Sequence, residues 1–162
     1  MSRLIATVCG TGYMRPAPGT WGSAVGVLLA LALHYIGGFP LLFVATFVVF
    51  FVGWWATANV TRGQADHDPS EVVIDEVAGQ WIALWITSYG AYRMGLDPLV
   101  LYPGWIAAFV LFRFFDITKP NLIGWADRRG DALGVMLDDI IAGVYAAICT
   151  GILGALYHLV IL

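Results

Sequence analysis

Charged side chains are scarce in this sequence. They make up 12% of the 162 residues, about half of the ~25% that is typical of a soluble domain. Basic residues are not in surplus either, since eight Lys and Arg stand against eleven Asp and Glu, for a formal net charge of −3. A nucleic-acid-binding domain shows a basic patch or stripe, so we exclude nucleic acid as a partner.

Cysteine and the familiar nucleophile or phosphate-loop motifs are also lacking. The two cysteines, Cys9 and Cys149, lie beside or inside apolar runs without C-x-x-C spacing, so we interpret both as small hydrophobic residues. No G-K-[ST] follows the glycine-rich segment 10–23, which excludes a Walker A loop. His67 is the only histidine in a polar segment, and no partner at metal-ligand spacing accompanies it.

Long apolar runs, by contrast, dominate the chain, which is 60% hydrophobic. Five segments stand out, and they cover residues 20–36, 41–58, 77–92, 99–112 and 140–162. A membrane-spanning helix needs about 20 apolar residues. The second and fifth segments meet this length, the first is marginal, and the third and fourth meet it only if their polar flanks extend them. The sequence therefore predicts an all-α, polytopic membrane bundle of four or five helices, forming one domain over residues 1–162.

The basic residues predict the orientation of this bundle. If all five segments cross, residues 1–19, 59–76 and 113–139 lie on one side of the membrane. That side carries seven of the eight basic residues, and only Arg93 lies on the other. The positive-inside rule makes the shared side cytoplasmic. Every acidic residue except Asp97 follows it, so the polar segments are expected to meet at the cytoplasmic face.

Carboxylates are concentrated in the segment EVVIDEVAGQW, residues 71–81. A helix beginning near Asp68-Pro69-Ser70 would place Glu71 and Asp75 on one face, where like charges repel unless a cation lies between them. Acids at a helix N-terminus explain Glu71, but the apolar neighbours of Asp75 and Glu76 fit that explanation poorly. We predict that Asp75 and Glu76 bind a metal and that Glu71 is a further ligand or the catalytic base.

A second acidic pair, Asp138 and Asp139, lies at the start of the fifth apolar segment. One of the two could cap the helix, but two adjacent acids exceed what a cap requires. We predict that both join Asp75 and Glu76 as ligands of Mg²⁺, which prefers carboxylate oxygens.

The segment FRFFDITKP places Arg113, Asp116 and Lys119 at steps of three, on one helix face that Pro120 ends. An ion-pair network explains this spacing. The alternative is that Arg113 and Lys119 hold a phosphate group while Asp116 joins the metal site. We count Asp116, Glu71, Arg113 and Lys119 as candidate catalytic residues.

The glycine-rich segment GTGYMRPAPGTWGS, residues 10–23, could bind the phosphate of a substrate. Its glycines allow backbone N–H groups to turn toward an anion, and the helix that follows adds positive potential. A tight loop before a membrane helix would look the same. The candidate substrate-binding residues are Thr11, Gly19, Thr20 and Ser23.

Taken together and in this order, these four segments resemble the phosphatidylglycerophosphatase A family, small lipid phosphatases of the bacterial inner membrane. The resemblance implies Mg²⁺-dependent removal of the terminal phosphate from phosphatidylglycerophosphate, which gives phosphatidylglycerol. It also implies functional roles for six acidic residues: Glu71, Asp75, Glu76, Asp116, Asp138 and Asp139.

Two questions of function stay open at the level of sequence. A small ion- or proton-coupled transporter also places acids in membrane helices, although here the acids lie at helix ends rather than in mid-membrane. For the enzyme, direct attack by water is favoured because no Cys or His nucleophile is positioned for it. An aspartyl-phosphate intermediate, on Asp116, is the alternative.

Overall fold

A computed structural model describes residues 1–64 and 68–161 of the chain, and within these ranges the secondary structure is helical without any strand. The all-α prediction is confirmed, with six helices in place of the predicted four or five. They are α1 (Ser2–Ala6), α2 (Pro18–Val60), α3 (Ile74–Met94), α4 (Tyr102–Thr118), α5 (Leu122–Asp127) and α6 (Ala132–Ile161).

The long helix α2 consists of two helices joined at a sharp break. Gly37 leaves the helical conformation, and Gly38 has φ +66°, a left-handed value that glycine adopts without a Cβ penalty. A straight helix of these 43 residues would be about 65 Å long, roughly twice the hydrocarbon core of a bilayer. The two halves match the predicted segments 20–36 and 41–58.

The break reverses the direction of the chain along α3. Gly22 lies against Val73, near the start of α3, and Gly38 lies against Tyr92, near its end. The second half then returns, because Gly53 packs against Ile74. Both ends of α2 therefore lie beside the first turn of α3.

The remaining long helices continue this up-and-down order. In α4, Gly104 lies against Thr87 of α3, and Arg113 reaches back to Glu76. In α6, Gly143 packs against Gly79 near the start of α3. The described residues of the segments 1–19, 59–76 and 113–139 consequently meet at one end of the bundle, as the sequence predicts.

In the part of the chain that the structure describes, three helical stretches are long and apolar enough to cross a membrane, namely Pro18–Val60, Pro98–Thr118 and Ala132–Val160. Helix α3 is the central helix of the bundle. It is less apolar than the other long helices, and its polar side chains face those helices. Gln80, Thr87 and Ser88 are all buried there.

Two helix starts differ from the sequence prediction. Helix α3 begins at Ile74 rather than near residue 68, because the amide of Val73 donates to the carbonyl of Ala6 in α1 at 2.9 Å. Glu71 therefore precedes the helix and does not share a helix face with Asp75.

Helix α6 begins earlier than predicted, at Ala132. The amide of Gly134 donates to the Asp131 carboxylate at 2.7 Å, so Asp131 takes the N-cap position. Asp138 and Asp139 lie inside the helix, which rules out the capping explanation for either of them.

Candidate active site

A polar cavity of about 300 Å³ lies at the end of the bundle where the polar segments meet. The first turns of α2 and α3, the end of α4, the second turn of α6 and the loop before α3 all contribute to it. Its lining residues are Ala17, Pro18, Gly19, Asp68, Ser70, Val72, Asp75, Glu76, Arg113, Asp116, Lys119, Asp138 and Asp139.

Three carboxylates from three different helices converge in this cavity. Oxygens of Glu76, Asp116 and Asp139 all lie within 4.8 Å of one another, and Asp139 is only 3% exposed. Carboxylates this close repel each other unless a cation compensates their charge. A set of hard oxygen donors suits a cation such as Mg²⁺, so this cluster could hold a metal ion.

Close packing of α3 against α6 brings these acids together. A Cβ atom on Gly79 would lie 2.5 Å from the carbonyl oxygen of Asp139, and one on Gly143 would lie 3.1 Å from the carbonyl carbon of Gly79. Because neither residue has a side chain, the two backbones approach closely, as small residues allow in membrane bundles. The acids one turn away on each helix then face the same cavity.

Arg113 provides the positive charge nearest to the carboxylate cluster. Its Nη1 atom pairs with Glu76 and, at 2.8 Å, with Asp116, while its Nε is buried without a partner. Ser23 supports the same carboxylate, because its hydroxyl donates to Glu76 Oε2 at 2.9 Å. A guanidinium held in this way can also present its remaining N–H groups to phosphate oxygens.

Lys119 supplies the second cation, just after the end of α4. Its Nζ donates to Asp138 at 2.7 Å and also to Asp127 of α5. Burial acts to lower the pKa of Lys119, but the hydrogen bonds and charges of the two aspartates outweigh it and raise the pKa above its ordinary value. Lys119 therefore stays protonated across the neutral range.

The structure brings eight of the predicted site residues to the cavity wall. They are Gly19, Asp75, Glu76, Arg113, Asp116, Lys119, Asp138 and Asp139.

Four predicted residues do not line the cavity: Glu71, Thr11, Thr20 and Ser23. The main chain of Glu71 packs against Gly12 in the loop before α2. The hydroxyl of Thr11 donates to the carbonyl of Val8 at 2.8 Å, so it shapes the N-terminal loop. Ser23 reaches the site indirectly, through Glu76. His67 lies outside the described residues.

Sequence reasoning missed two acids and a hydroxyl. Asp68 and Ser70 line the cavity, and their position just before the acidic segment 71–81 was an available signal. Asp127 contacts the site through Lys119, and no spacing in the sequence indicates this contact, because it depends on how α5 folds back.

Residues 4–154 match the family model of Phosphatidylglycerophosphatase A. This chain belongs to that family. Its members are phosphatases that act on a phosphate monoester, so the chain is an enzyme rather than the transporter that the sequence also allowed. The resemblance found in the four motifs is thereby confirmed.

Curated relatives match over most of their length. A Haemophilus influenzae protein named Phosphatidylglycerophosphatase A is 35% identical over 90% of this chain and 83% of its own. The Escherichia coli protein of the same name is 32% identical, with 89% and 78% covered. A Bacteroides thetaiotaomicron protein provisionally named phosphatidylinositol-3-phosphatase is 39% identical, with 90% and 88% covered. No solved structure matches the chain.

Proposed function

We propose that this protein is a Mg²⁺-dependent lipid phosphatase that hydrolyses phosphatidylglycerophosphate to phosphatidylglycerol and phosphate, as a step of glycerophospholipid synthesis. The observation that carries the proposal is the convergence of Glu76, Asp116 and Asp139 with Arg113 in one cavity of a membrane bundle. The relatives named Phosphatidylglycerophosphatase A support the choice of lipid.

Mg²⁺ fits the donors present in the cavity. Glu76, Asp116 and Asp139 would hold it, and Asp75 and Asp138 also line the cavity. Bound there, the ion would offset the charge of the phosphoryl group and activate water.

The two cations of the cavity bind and orient the substrate phosphate in this proposal. Arg113 presents its remaining guanidinium N–H groups to phosphate oxygens, and Lys119 adds a second positive charge as a point charge. Carboxylates already hold both cationic side chains in position, so these side chains need to move little when charge develops in the transition state. Asp127 acts indirectly, since it fixes the ammonium group of Lys119.

Water is the nucleophile in the mechanism that we favour. Among the described residues that line the cavity there is no Cys or His, and Glu71, a candidate base, lies outside the wall. Asp75 or Asp138 is then better placed to accept the proton from water. The alternative, attack by Asp116 to form an aspartyl-phosphate, would be identified by trapping a phosphorylated enzyme during turnover.

The location follows from the distribution of charge. The cavity opens at the end of the bundle that carries seven of the eight basic residues, so we place it at the cytoplasmic face of the bacterial inner membrane. A phospholipid head group in the cytoplasmic leaflet lies at this same face of the membrane.

Phosphate release from a defined lipid tests the proposal. Purified protein in detergent should release phosphate from phosphatidylglycerophosphate with Mg²⁺, stop when a chelator is added, and recover with excess Mg²⁺. An unchanged rate of phosphate release in the presence of the chelator would contradict the metal dependence. Phosphatidylinositol 3-phosphate belongs in the same assay, because release from that lipid alone would reassign the head group.

A further inference from the structure

An apolar groove runs between the first half of α2 and α4. It has a volume of about 330 Å³ and is lined by Ala24, Val27, Leu28, Trp105, Ile106 and Phe109. Leu28 is 66% exposed and Ile106 is 58% exposed, so the groove opens on the outer surface of the bundle, between two helices of membrane-spanning length.

This groove lies further along the same pair of helices that borders the polar cavity. The same two helices form both, because Gly19 of α2 and Arg113 and Asp116 of α4 line the cavity. Arg113 Nη1 lies 3.4 Å from the hydroxyl of Ser23, and this contact between α2 and α4 separates the two spaces. Val27 and Phe109 each lie one helical turn further on, about 6 Å along the helix axis.

We propose that the groove between α2 and α4 holds an acyl chain of the phospholipid substrate while the terminal phosphate lies in the cavity. The inference rests on the proposed function, since it assigns the apolar part of the same lipid. The identity of the occupant follows from the order of the two sites along α2 and α4. In the proposed substrate the terminal phosphate lies at one end of the molecule and the acyl chains lie at the other, as the cavity and the groove do here. The outward opening lets the lipid enter from the side, from within the bilayer.

The groove contributes orientation more than affinity. Lipid tails are as apolar as the leucine side chains of a membrane protein, so moving a chain from the bilayer into the groove gains little hydrophobic free energy. Holding the chain against α2 and α4 restricts how the head group meets Arg113 and the carboxylates, and correct orientation raises the rate of the reaction. Turnover should therefore depend on chain length.

A matched pair of substitutions on α2 tests this dependence. Leu28 and Leu29 are neighbours and both are exposed, but only Leu28 lines the groove. We expect Leu28→Trp to lower the ratio of kcat/KM for dipalmitoyl over dihexanoyl phosphatidylglycerophosphate about tenfold, the low end for a changed fit in an apolar pocket. Leu29→Trp should leave this ratio at the value of the unmodified protein.

Photolabelling gives a second measurement that needs no substitution. The probe is a non-hydrolysable phosphonate analogue of phosphatidylglycerophosphate with a diazirine in the middle of one acyl chain. We expect adducts on Leu28, Ile106 and Phe109 that excess unlabelled substrate suppresses. Equal labelling of Leu29 and of Phe51, which is exposed on the second half of α2, would overturn the assignment.

The outcomes separate the groove from the function it serves. If the protein hydrolyses both lipids and Leu28→Trp leaves the chain-length ratio unchanged, the groove assignment is overturned and the proposed function stands. An equal loss of kcat/KM with both lipids also overturns the groove assignment, because it shows that the substitution impairs the enzyme without regard to acyl-chain length. If the unmodified protein hydrolyses neither lipid, the proposed function fails and the groove assignment fails with it.

Discussion

At the scale of single residues, the described part of the cavity wall holds six carboxylates but only two cationic side chains. Arg113 faces Glu76 and Asp116, and Lys119 faces Asp138. Removing one partner of a buried pair leaves the other uncompensated, which costs several kcal/mol. Substitutions that keep the shape and change one charge are therefore the most informative.

Asp139→Asn keeps the side-chain volume and removes one charge from the carboxylate cluster. We expect kcat to fall by about 10²–10³, the size of effect known for a single preorganised electrostatic group, while the protein still inserts and folds. Asp75→Asn, on the wall of the same cavity, should also lose most of its phosphate release. Near-normal turnover of both variants at limiting Mg²⁺ would show that neither carboxylate serves the metal.

Asp97→Asn is the matched control for these two variants. Asp97 lies at the opposite end of the bundle, where its carboxylate accepts from the amide of Leu99 at 2.8 Å. Asn is also a good capping residue, so turnover should stay close to that of the unmodified protein.

Ser23→Ala tests whether this hydroxyl contacts substrate or positions Glu76. A hydrogen bond to a charged group is worth about 1.5–3 kcal/mol, so we expect the Mg²⁺ concentration for half-maximal activity to rise about tenfold or more, with KM for the lipid little changed. Titration of activity against Mg²⁺ and against lipid measures the two effects. A raised lipid KM with unchanged Mg²⁺ dependence would instead assign Ser23 to the substrate, as the sequence suggested.

At the scale of helices, the site depends on where α3 crosses α6. Gly79 and Gly143 allow the two backbones to touch, and this contact sets the separation of the acids on the two helices. A larger residue at the crossing would move a whole helix, because the neighbouring atom is a backbone carbonyl that cannot turn aside.

Gly143→Ala should therefore lower both stability and activity. Overpacking a tight contact costs about 1–3 kcal/mol, which we expect to appear as a lower midpoint of thermal unfolding in detergent and a higher Mg²⁺ requirement. Gly154→Ala, on the same helix, is the control, because nothing lies within 4 Å of a Cβ at that position. An equal loss of stability and activity in Gly154→Ala would argue against the crossing as the cause, because Ala by itself favours a helix over Gly.

At the scale of the whole molecule, the bundle gathers its polar segments at one end. The break at Gly37 and Gly38 is essential to this arrangement, because a continuous α2 would place Val60, its last residue, at the opposite end of the bundle. The reversal therefore places the loop before α3 beside the N-terminal segment.

Labelling of single cysteines with a membrane-impermeant maleimide tests the orientation. Cys9 is exposed at the polar end, and Met94, 57% exposed, ends α3 at the other. In a chain with Cys149→Ser, we expect native Cys9 to react only after permeabilisation. With Cys9→Ser added, Met94→Cys should react in intact spheroplasts. The reverse pattern would place the cavity on the outer face.

The sequence by itself determined the class of protein, the end of the bundle that carries the site, and most residues of the cavity wall. Apolar length and charge distribution are properties of the chain that any fold of a membrane protein must respect, since charges avoid hydrocarbon. The motifs around Asp75, Asp116 and Asp139, together with the glycine-rich segment 10–23, also sufficed to indicate the family.

Only the tertiary structure decided which of these residues meet. Spacing along a segment suggested that Glu71 and Asp75 act together, but the bond from Val73 to Ala6 delays the start of α3 and leaves Glu71 outside the cavity wall. The cluster of Glu76, Asp116 and Asp139 takes one acid from each of three helices. Ser23 reaches it through Glu76, and Asp127 reaches the cavity through Lys119. Such contacts depend on the rotation and crossing of packed helices. The glycines at the α3–α6 contact fix this crossing, and the spacing of residues within one segment cannot specify it.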